Sequence, residues 1–318
     1  MGLQPQKCIR GGKRGLAVNT SYVTPRPLDL FPNAALALGL NALSAATLTS
    51  PIPKVRRSSD NAQADAVADL SDPFASITDN SGITVTSGSS SQTALGAFVR
   101  EGSATANGLL PTWFEQSGNG RDVGQSTAGD QPALYESGNL VTLGGRPALQ
   151  FGGTRRLTRN AVTQLLGDVS HTIYAVFSSP SNVVQVLFSN RQASTSARYT
   201  INIGGGSFRA RMYDAANNEI DFRLGSGYAT NTDYVFVAVY AAGIGFTLYA
   251  NGQNITGGKT GPEAGAPAGT FLLGGRTSTN EPWLGKVGTI LAYPAAHDNA
   301  TRQGIERALA TYYGVTLA

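Results

Sequence analysis

The chain of 318 residues has few of the side chains that build disulfides and metal sites. It contains one cysteine, Cys8, and two histidines, which excludes an intrachain disulfide framework and a zinc site of Cys and His ligands. We interpret Cys8 as a spare thiol in the N-terminal segment, with an intermolecular disulfide as the alternative. Charged residues make up only 14%, with a net charge of +4. No aromatic residues interleave the basic ones, so nucleic acid is not an expected partner.

Long apolar runs are absent as well. Residues 34–48 are apolar but number only about 15 and include Gly39, Asn41 and Ser44, whereas a membrane-spanning helix needs about 20. Residues 1–27 carry basic side chains but no apolar core of a signal peptide. We therefore expect a protein that is made in the cytoplasm and does not contact a membrane.

Glycine is abundant, with 39 residues, and most of the chain after residue 54 reads as short strands separated by turns. The Asn251-Gly252 pair between two apolar segments predicts a tight hairpin. The spacing of the strands, about 8–12 residues, is typical of a β-sandwich. The clearest predicted strands cover residues 149–151, 171–177, 183–188, 199–203, 208–213, 220–224, 234–240, 245–250, 271–273 and 287–293.

The N-terminal part of the chain differs in composition from the remainder. Its glycines and prolines favour an extended course over residues 1–32, and the spacing of its leucines predicts a helix over residues 34–47. The segment is also basic. We therefore predict an N-terminal docking arm, residues 1–53, ahead of a main domain, residues 54–318. The arm residues that we expect to contact a partner are Arg10, Lys13, Arg14, Leu36 and Leu40.

The C-terminal segment changes from strand to helix periodicity. Asp298 or His297 can cap a helix in which Ile305, Leu309 and Tyr312 share one face. Gly314 follows at the position where a left-handed residue ends a helix. We expect this amphipathic helix to pack its apolar face on the sandwich.

Residues 113–122 form the most specific pattern and read Trp-Phe-Glu-Gln-Ser-Gly-Asn-Gly-Arg-Asp. Glycine and asparagine supply the positive φ angles that a tight turn needs, and the tryptophan is expected in or beside the core. This favours a structural role over a ligand-binding one. The fold motif that we assign comprises Trp113, Gln116, Ser117, Gly118, Asn119, Gly120 and Asp122.

With further patterns this motif resembles the concanavalin A-like (laminin-G-like) lectin and glucanase superfamily. The other patterns are Gly-Arg-Pro-Ala-Leu-Gln-Phe at residues 145–151, Tyr-Ala-Asn-Gly at 249–252, and Leu-Gly-Gly-Arg at 273–276 leading to Trp-Leu-Gly-Lys-Val at 283–287. The resemblance covers residues 54–318. It departs from the common Tyr-Asp, which is Phe114-Glu115 here.

The resemblance implies a fold and a setting. The fold is all-β, a concanavalin A-like β-sandwich (jelly roll) with an extended N-terminal arm and a C-terminal amphipathic helix. Residues 55–61, Val-Arg-Arg-Ser-Ser-Asp-Asn, are similar to a subgroup found in tail fibres, spikes and head decoration of tailed bacteriophages. This implies a structural virion protein that binds other virion proteins through its arm. We expect a homo-oligomer, with a trimer favoured. Deletion of residues 1–50, which removes most of the arm, is expected to leave a folded sandwich.

The motif at residues 113–122 is also compatible with a second function. The Gln-Ser-Gly-Asn-Gly element also resembles the sandwich domain of an α-L-arabinofuranosidase family, which implies a glycoside hydrolase as the alternative. Such an enzyme needs two carboxyl groups about 5–9.5 Å apart. The catalytic carboxyl pair of that family cannot be placed on residues of this chain, so no catalytic residue is assigned. The acids considered are Glu115, Asp122, Asp214, Glu219, Asp221 and Glu281.

Saccharide binding without hydrolysis uses exposed aromatic rings beside polar groups. Trp283 with Glu281, and Tyr213 with Asp214, are the candidates for binding a host polysaccharide; each ring is otherwise a rim or interface aromatic. The superfamily includes proteins with calcium at the sandwich rim. No Asp-rich calcium loop occurs in this sequence, so no metal or other cofactor is assigned.

Overall fold

The computed structural model describes residues 26–160, 162, 165, 169–191, 198–213, 219–257, 270–275 and 281–318. Its helices are Pro27–Leu30 (α1), Leu95–Arg100 (α2) and Asn299–Tyr313 (α3), with 3-10 turns at Ala45–Thr47 and Ala128–Asp130. Its strands in chain order are Leu36–Gly39 (β1), Pro51–Arg57 (β2), Gln63–Val67 (β3), Ile83–Ser87 (β4), Gly108–Trp113 (β5), Val123–Gly124 (β6), Ala133–Glu136 (β7), Asn139–Leu140 (β8), Thr142–Leu143 (β9), Arg146–Pro147 (β10), Leu149–Gln150 (β11), Leu157–Arg159 (β12), His171–Ser178 (β13), Gln185–Arg191 (β14), Arg198–Gly204 (β15), Ser207–Tyr213 (β16), Glu219–Ser226 (β17), Tyr234–Ala241 (β18), Gly245–Ala250 (β19), Gln253–Asn254 (β20), Thr270–Leu273 (β21) and Lys286–Tyr293 (β22).

Two antiparallel layers are built from these strands. In the first layer β13 lies between β18 and β22, and β19 continues beyond β18. The other edge of β22 pairs with β1 and β11. In the second layer the order runs β17, β16, β15, β14, β21, β12, β6, β5, β2, β3 and β4. Short pairings of β7 with β5 and β11 join the layers at one edge.

The main core lies between the two layers. On β13, Ile173, Ala175 and Phe177 point into it, and on β16 so do Phe208, Ala210 and Met212. Alternate residues of each strand thus face the main core, as the pleat of a strand requires; the other face of β13 is also buried, whereas that of β16 is half-buried. The predicted all-β sandwich is therefore confirmed.

The C-terminal helix packs on the outer face of the first layer, as predicted. Asp298 caps it by accepting a hydrogen bond from the Thr301 amide, and Gly314 ends it in the left-handed conformation at φ 66°. Ile305, Leu309 and Tyr312 are buried in a second apolar cluster with Tyr174 and Leu291 of the sheet. Both caps and the buried face agree with the sequence-based prediction.

The predicted helix over residues 34–47 is wrong. Residues 36–39 form strand β1, which pairs with β22, and a 3-10 turn follows at Ala45–Thr47. Leu36 and Leu40 are fully buried in the main core, so they are not available to dock a partner. The leucine spacing was compatible with a helix, but this segment pairs with β22 and buries its side chains on both faces.

The boundary predicted at residue 53 also needs correction. It falls inside β2, which pairs with β3 and β5. The described residues ahead of the predicted boundary include β1 and part of β2 and therefore belong to the sandwich. Cys8, Arg10, Lys13 and Arg14 lie outside the described residues. Within the described part of the chain, no helix is long and apolar enough to cross a membrane.

A buried histidine makes the stability of this core depend on pH. His171 is fully buried, Nδ1 lies 2.8 Å from the carbonyl oxygen of Val169, and Nε2 has no partner among the described residues. The rings of Tyr199, Tyr240 and Phe246 surround it at 5.2–5.9 Å between centroids. This burial lowers the pKa of His171 from 6.5 to about 4.

We predict that acid destabilises the fold through this group. The folded pKa is depressed, so between pH 6.5 and 4 the unfolded chain binds a proton that the folded chain does not. The free energy of unfolding should fall by up to about 1.4 kcal/mol per pH unit in this window. His171→Phe should fall less steeply in urea unfolding measured from pH 7 to 4.5. Equal slopes for the two proteins would contradict the prediction.

Candidate functional site

The fold motif at residues 113–122 binds the backbone of the segment that contains β1. Trp113 is fully buried and its Nε1 donates to the carbonyl oxygen of Gly39 at 3.0 Å. The Gln116 side chain accepts from the Leu43 amide at 2.9 Å and donates to the carbonyls of Gly39 and Asn41 at 3.1 and 3.0 Å. The motif therefore satisfies polar groups of a buried segment that has no strand on that side.

Glu115 also forms hydrogen bonds to the backbone of this segment. Its carboxylate accepts hydrogen bonds from the amides of Ala37, Ser117 and Asn119 at 2.9, 2.6 and 3.2 Å. Asp122 in turn accepts from the Glu115 amide at 2.8 Å. Position 115 thus holds a glutamate where the resembled sequences commonly have an aspartate, and the longer side chain reaches the Ala37 amide of β1. Neither carboxylate is placed as a free acid or base.

The other residues of the motif hold the turn and its neighbour. The Asn119 side chain donates to the carbonyl of Ala34 at 2.9 Å and to the Ser117 hydroxyl at 2.6 Å. Gly118 and Gly120 have φ angles of 84° and 63°, which only glycine adopts without strain. Arg121 donates to the carbonyl of Ala35.

Two concave regions lie beside the motif. One, of about 520 Å³, is bounded by Asp29, Ser50 and Glu115, and the other, of about 400 Å³, by Asn119, Arg121 and Pro294. Both contain Asn33, which has a left-handed φ of 72°. Asp29 is already bonded to the Ala45 amide at 2.8 Å. The side chains of these regions are largely engaged in holding the fold.

The Arg56-Arg57 pair, which carried the resemblance to phage proteins, is also buried. Arg57 is 2% exposed and forms ion pairs with Asp60 and Glu101. The Arg57 guanidinium lowers the pKa of Asp60 to about 2. Arg56 donates from Nε to the Gln131 side chain at 2.7 Å. These arginines are internal crosslinks of the second layer.

Trp283 is not a surface for a sugar ring. It is fully buried in the main core, with its ring 5.2 Å from Phe177 in an edge-to-face arrangement. Its Nε1 is buried and has no partner among the described residues. The interpretation of Trp283 as a glycan-binding ring is therefore corrected. Asp214 lies outside the described residues.

Tyr213 and Glu281 are brought to one place by the fold. Both lie near enough to Arg209 for their charges to affect its pKa. Glu281 has a positive φ of 52°, and its carbonyl accepts from the Val186 amide at 3.0 Å. Arg209, Arg211 and Tyr213 are half-buried and alternate with the core residues of β16. They consequently occupy the outward side of the second layer.

Cross-strand neighbours complete this surface. Asn202 of β15 pairs with Arg209, and Thr200 pairs with Arg211. Asn202 and Thr200 alternate with core residues and therefore also face outward, yet they are only 2% and 3% exposed. We call Thr200, Asn202, Arg209, Arg211, Tyr213 and Glu281 the polar face. The short side chains of Thr200 and Asn202 are buried, and the longer side chains of Arg209, Arg211 and Tyr213 are half-buried.

Sequence reasoning missed four of these six residues. The alternation of arginine with apolar residues over 208–213 marks one polar side of a strand and could have indicated Arg209 and Arg211. Thr200 and Asn202 alternate with apolar residues over 199–203 in the same way, but their position opposite the arginines depends on the pairing register. Among the described residues, no group of three His, Cys, Asp or Glu side chains could hold a metal ion.

Comparisons with known proteins support the fold. The structure is similar to that of a GH54 α-L-arabinofuranosidase soaked with a cyclic sulfate inhibitor, with a TM-score of 0.62, 14% identity and coverage of 91% of this chain and 65% of that one. A second, an arabinofuranosidase complexed with arabinofuranosyl-α-1,2-xylobiose, gives a TM-score of 0.58, 15% identity and the same coverages. This chain thus spans slightly less than two thirds of the length of these structures. No family model and no curated protein matches the sequence.

We predict that Gln116 is a major determinant of stability. Gln116→Ala removes three hydrogen bonds and leaves buried backbone groups of residues 41 and 43 without these partners. The free energy of unfolding should fall by about 2–4 kcal/mol in urea titration. Gln253→Ala, at an exposed position, is the matched control and should change it by less than about 0.5 kcal/mol. Similar losses for both variants would disprove the role assigned to Gln116.

Proposed function

We propose that this chain is a structural protein of a tailed-phage virion whose sandwich binds a saccharide at the polar face. The carrying observation is that Arg209 and Tyr213 lie on one side of β16, with Asn202 as the cross-strand neighbour of Arg209 and Glu281 near enough for its charge to affect the pKa of Arg209. A ring beside charged and hydrogen-bonding groups is the usual composition of a sugar site. The similarity of the sandwich to carbohydrate-active structures supports the same class of ligand.

The virion setting is supported by the sequence resemblance of residues 55–61 and 113–122 to phage proteins. The partners proposed are other virion proteins, contacted through the N-terminal arm, and further copies of this chain in a trimer. Because residues 26–53 contribute to the sandwich, the proposed arm is narrowed to residues 1–25. This segment carries Lys7, Arg10, Lys13 and Arg14 and no acidic residue.

Hydrolysis of an arabinofuranoside is the second candidate, since the sandwich matches two arabinofuranosidase structures over 91% of the chain. The contacts of Glu115 and Asp122 argue against them as the catalytic pair. On the polar face Glu281 is the described carboxylate that could serve as acid or base. A purified protein that releases reducing sugar, and loses this activity in Glu281→Gln, would favour the enzyme over the binding protein.

We predict that the full chain binds glycans on an array and that Tyr213→Ala weakens binding about fivefold, since loss of one stacking ring costs on the order of 1 kcal/mol. Tyr249→Ala is the matched control, because Tyr249 packs under Arg302 of α3 on the other layer. Its binding should stay within about twofold of the wild type. Absence of binding to every glycan tested would overturn the proposed binding function.

The virion assignment has its own test. A chain lacking residues 2–25 should keep a cooperative thermal transition, because β1 and every later strand remain. It should be missing from purified particles, in which mass spectrometry should detect the full chain. Removal of residues 2–50 should instead unfold the sandwich, since it deletes β1. Normal incorporation of the shorter deletion, or absence of the full chain from particles, would contradict the proposal.

A further inference from the structure

The C-terminal helix α3 carries a pair of charged side chains on its buried side. Arg302 and Glu306 are 3% and 1% exposed, and Nη1 of Arg302 donates to Oε2 of Glu306. The cluster between helix and sheet is otherwise apolar and includes Ile305, Leu309 and Leu291. Apolar residues at positions 302 and 306 would hold the helix on the sheet as well or better, because burying two charges costs their hydration. Packing alone therefore does not explain this pair.

The Glu306 carboxylate receives little compensation for its burial. Its Oε2 accepts the bond from Arg302, whereas Oε1 is buried and has no hydrogen-bond partner in the described part of the chain. The buried carboxylate of Asp69 differs, because it accepts from the Ser71 amide, the Ser71 hydroxyl and the Thr78 hydroxyl. Burial raises the pKa of Asp69, but these hydrogen bonds lower it overall. Glu306 lacks such a set of donors.

Burial consequently dominates at Glu306. It raises the pKa of Glu306 to about 7, although the charges of Arg302 and Arg307 act in the opposite direction. Arg302 has other contacts: Nη2 lies 3.4 Å from Oδ1 of Asn299, and its guanidinium carbon lies 3.7 Å from the centre of the Tyr249 ring. The ring stabilises the cation independently of the carboxylate. Glu306 can therefore exchange its proton near neutral pH while Arg302 stays charged.

Titratable groups also face this interface from the sheet and from the start of the helix. β13 and β22 contribute Tyr174 and Tyr293, and burial raises the pKa of both hydroxyls. The outward side chains of β18 are valines. The Tyr174 hydroxyl lies 2.8 Å from Nδ1 of His297, and burial lowers the pKa of that histidine. Asp298, the helix cap, and Asp29 of α1 are exposed.

We propose that α3 is a pH-sensitive latch, which is docked most firmly while Glu306 carries a proton and is released more often once Glu306 has lost it. Release returns the carboxylate and Arg302 to water, which removes the cost of burying them. It also uncovers the apolar outer face of the first layer. The inference is independent of the saccharide binding proposed for the polar face, which lies on the second layer.

The direction of the pH effect follows from the two states of Glu306. In the released helix the carboxyl is solvated and has its ordinary pKa of 4.5, whereas the docked pKa is about 7. Glu306 therefore favours docking fully below pH 4.5, and this contribution is lost as the pH rises toward 7. Release should become up to about tenfold more frequent per pH unit in this window. His297 acts in the opposite direction, because its lowered pKa favours release in acid.

Hydrogen exchange of the full chain from pH 5 to 7.5, corrected for the intrinsic exchange rate, tests the latch. Amides of α3 should open more often than those of the central strand β13. Glu306→Gln keeps the shape of the side chain and removes its titration. The α3 opening constant of the wild type divided by that of this variant should rise at least about tenfold between pH 5 and 7. The ratio cancels the effects of His297 and His171, which both proteins share.

Glu136→Gln is the matched control, since it makes the same chemical change on β7 at a side chain that is 45% exposed and pairs with Arg155. Its ratio should stay constant within about twofold over the same pH range. A thermal transition for each variant shows whether the fold is retained. Carbon-13 NMR of the glutamate carboxyl groups in the wild type needs no variant, and one of them should titrate with a midpoint near pH 7.

Each outcome bears on the latch. A ratio that stays constant or falls with rising pH would overturn it, because the ion pair with Arg302 would then outweigh the cost of burial. Equal opening constants for α3 and β13 would also overturn it, since the helix would open only with the whole sandwich. So would glutamate carboxyls that all titrate in the ordinary range. A ratio that rises with pH for Glu306→Gln and stays constant for Glu136→Gln would support the latch.

Discussion

The sandwich depends on how the backbone of a doubly buried segment is satisfied. β1 is covered by the main core on one side and by the helix cluster on the other, so water does not reach its peptide groups. One edge pairs with β22. Toward the other edge the motif presents Glu115, Gln116 and the Trp113 indole. Because unpaired buried peptide groups cost 1–3 kcal/mol each in typical proteins, about that much per group depends on these side chains.

This constraint explains why the motif is specific in sequence but does not act as a chemical site. A glutamine side chain carries both an acceptor and a donor, so it can bond to an amide and to carbonyls of the same segment, as Gln116 does. Glu115 accepts hydrogen bonds from three backbone amides and has little hydrogen-bonding capacity left for a substrate. A ligand site therefore has to be sought elsewhere on the sandwich.

Strand alternation and helix capping were predictable because they depend on neighbours in the sequence. β16 follows the period of two, and Asp298 and Gly314 end α3 through local contacts. β1 was not predictable, since the spacing of its leucines fits a helix and the groups that make it a strand lie more than 70 residues away. Trp283 was misinterpreted for a related reason. Nearby polar residues suggested a rim position, whereas its burial depends on Phe177.

The polar face also depends on contacts between residues that are far apart in the sequence. Only the pairing register brings Thr200 and Asn202 beside the arginines of β16, and only tertiary packing brings Glu281 there. The other buried arginines described above have clear partners: Arg57 pairs with Asp60 and Glu101, and Arg302 pairs with Glu306. Arg209 departs from this pattern, although it is partly desolvated. Arg56 is a second exception: it is buried and donates only to neutral groups of Gln131, Asn61 and Ala128. A partly desolvated arginine in this sandwich can therefore be held by uncharged acceptors alone.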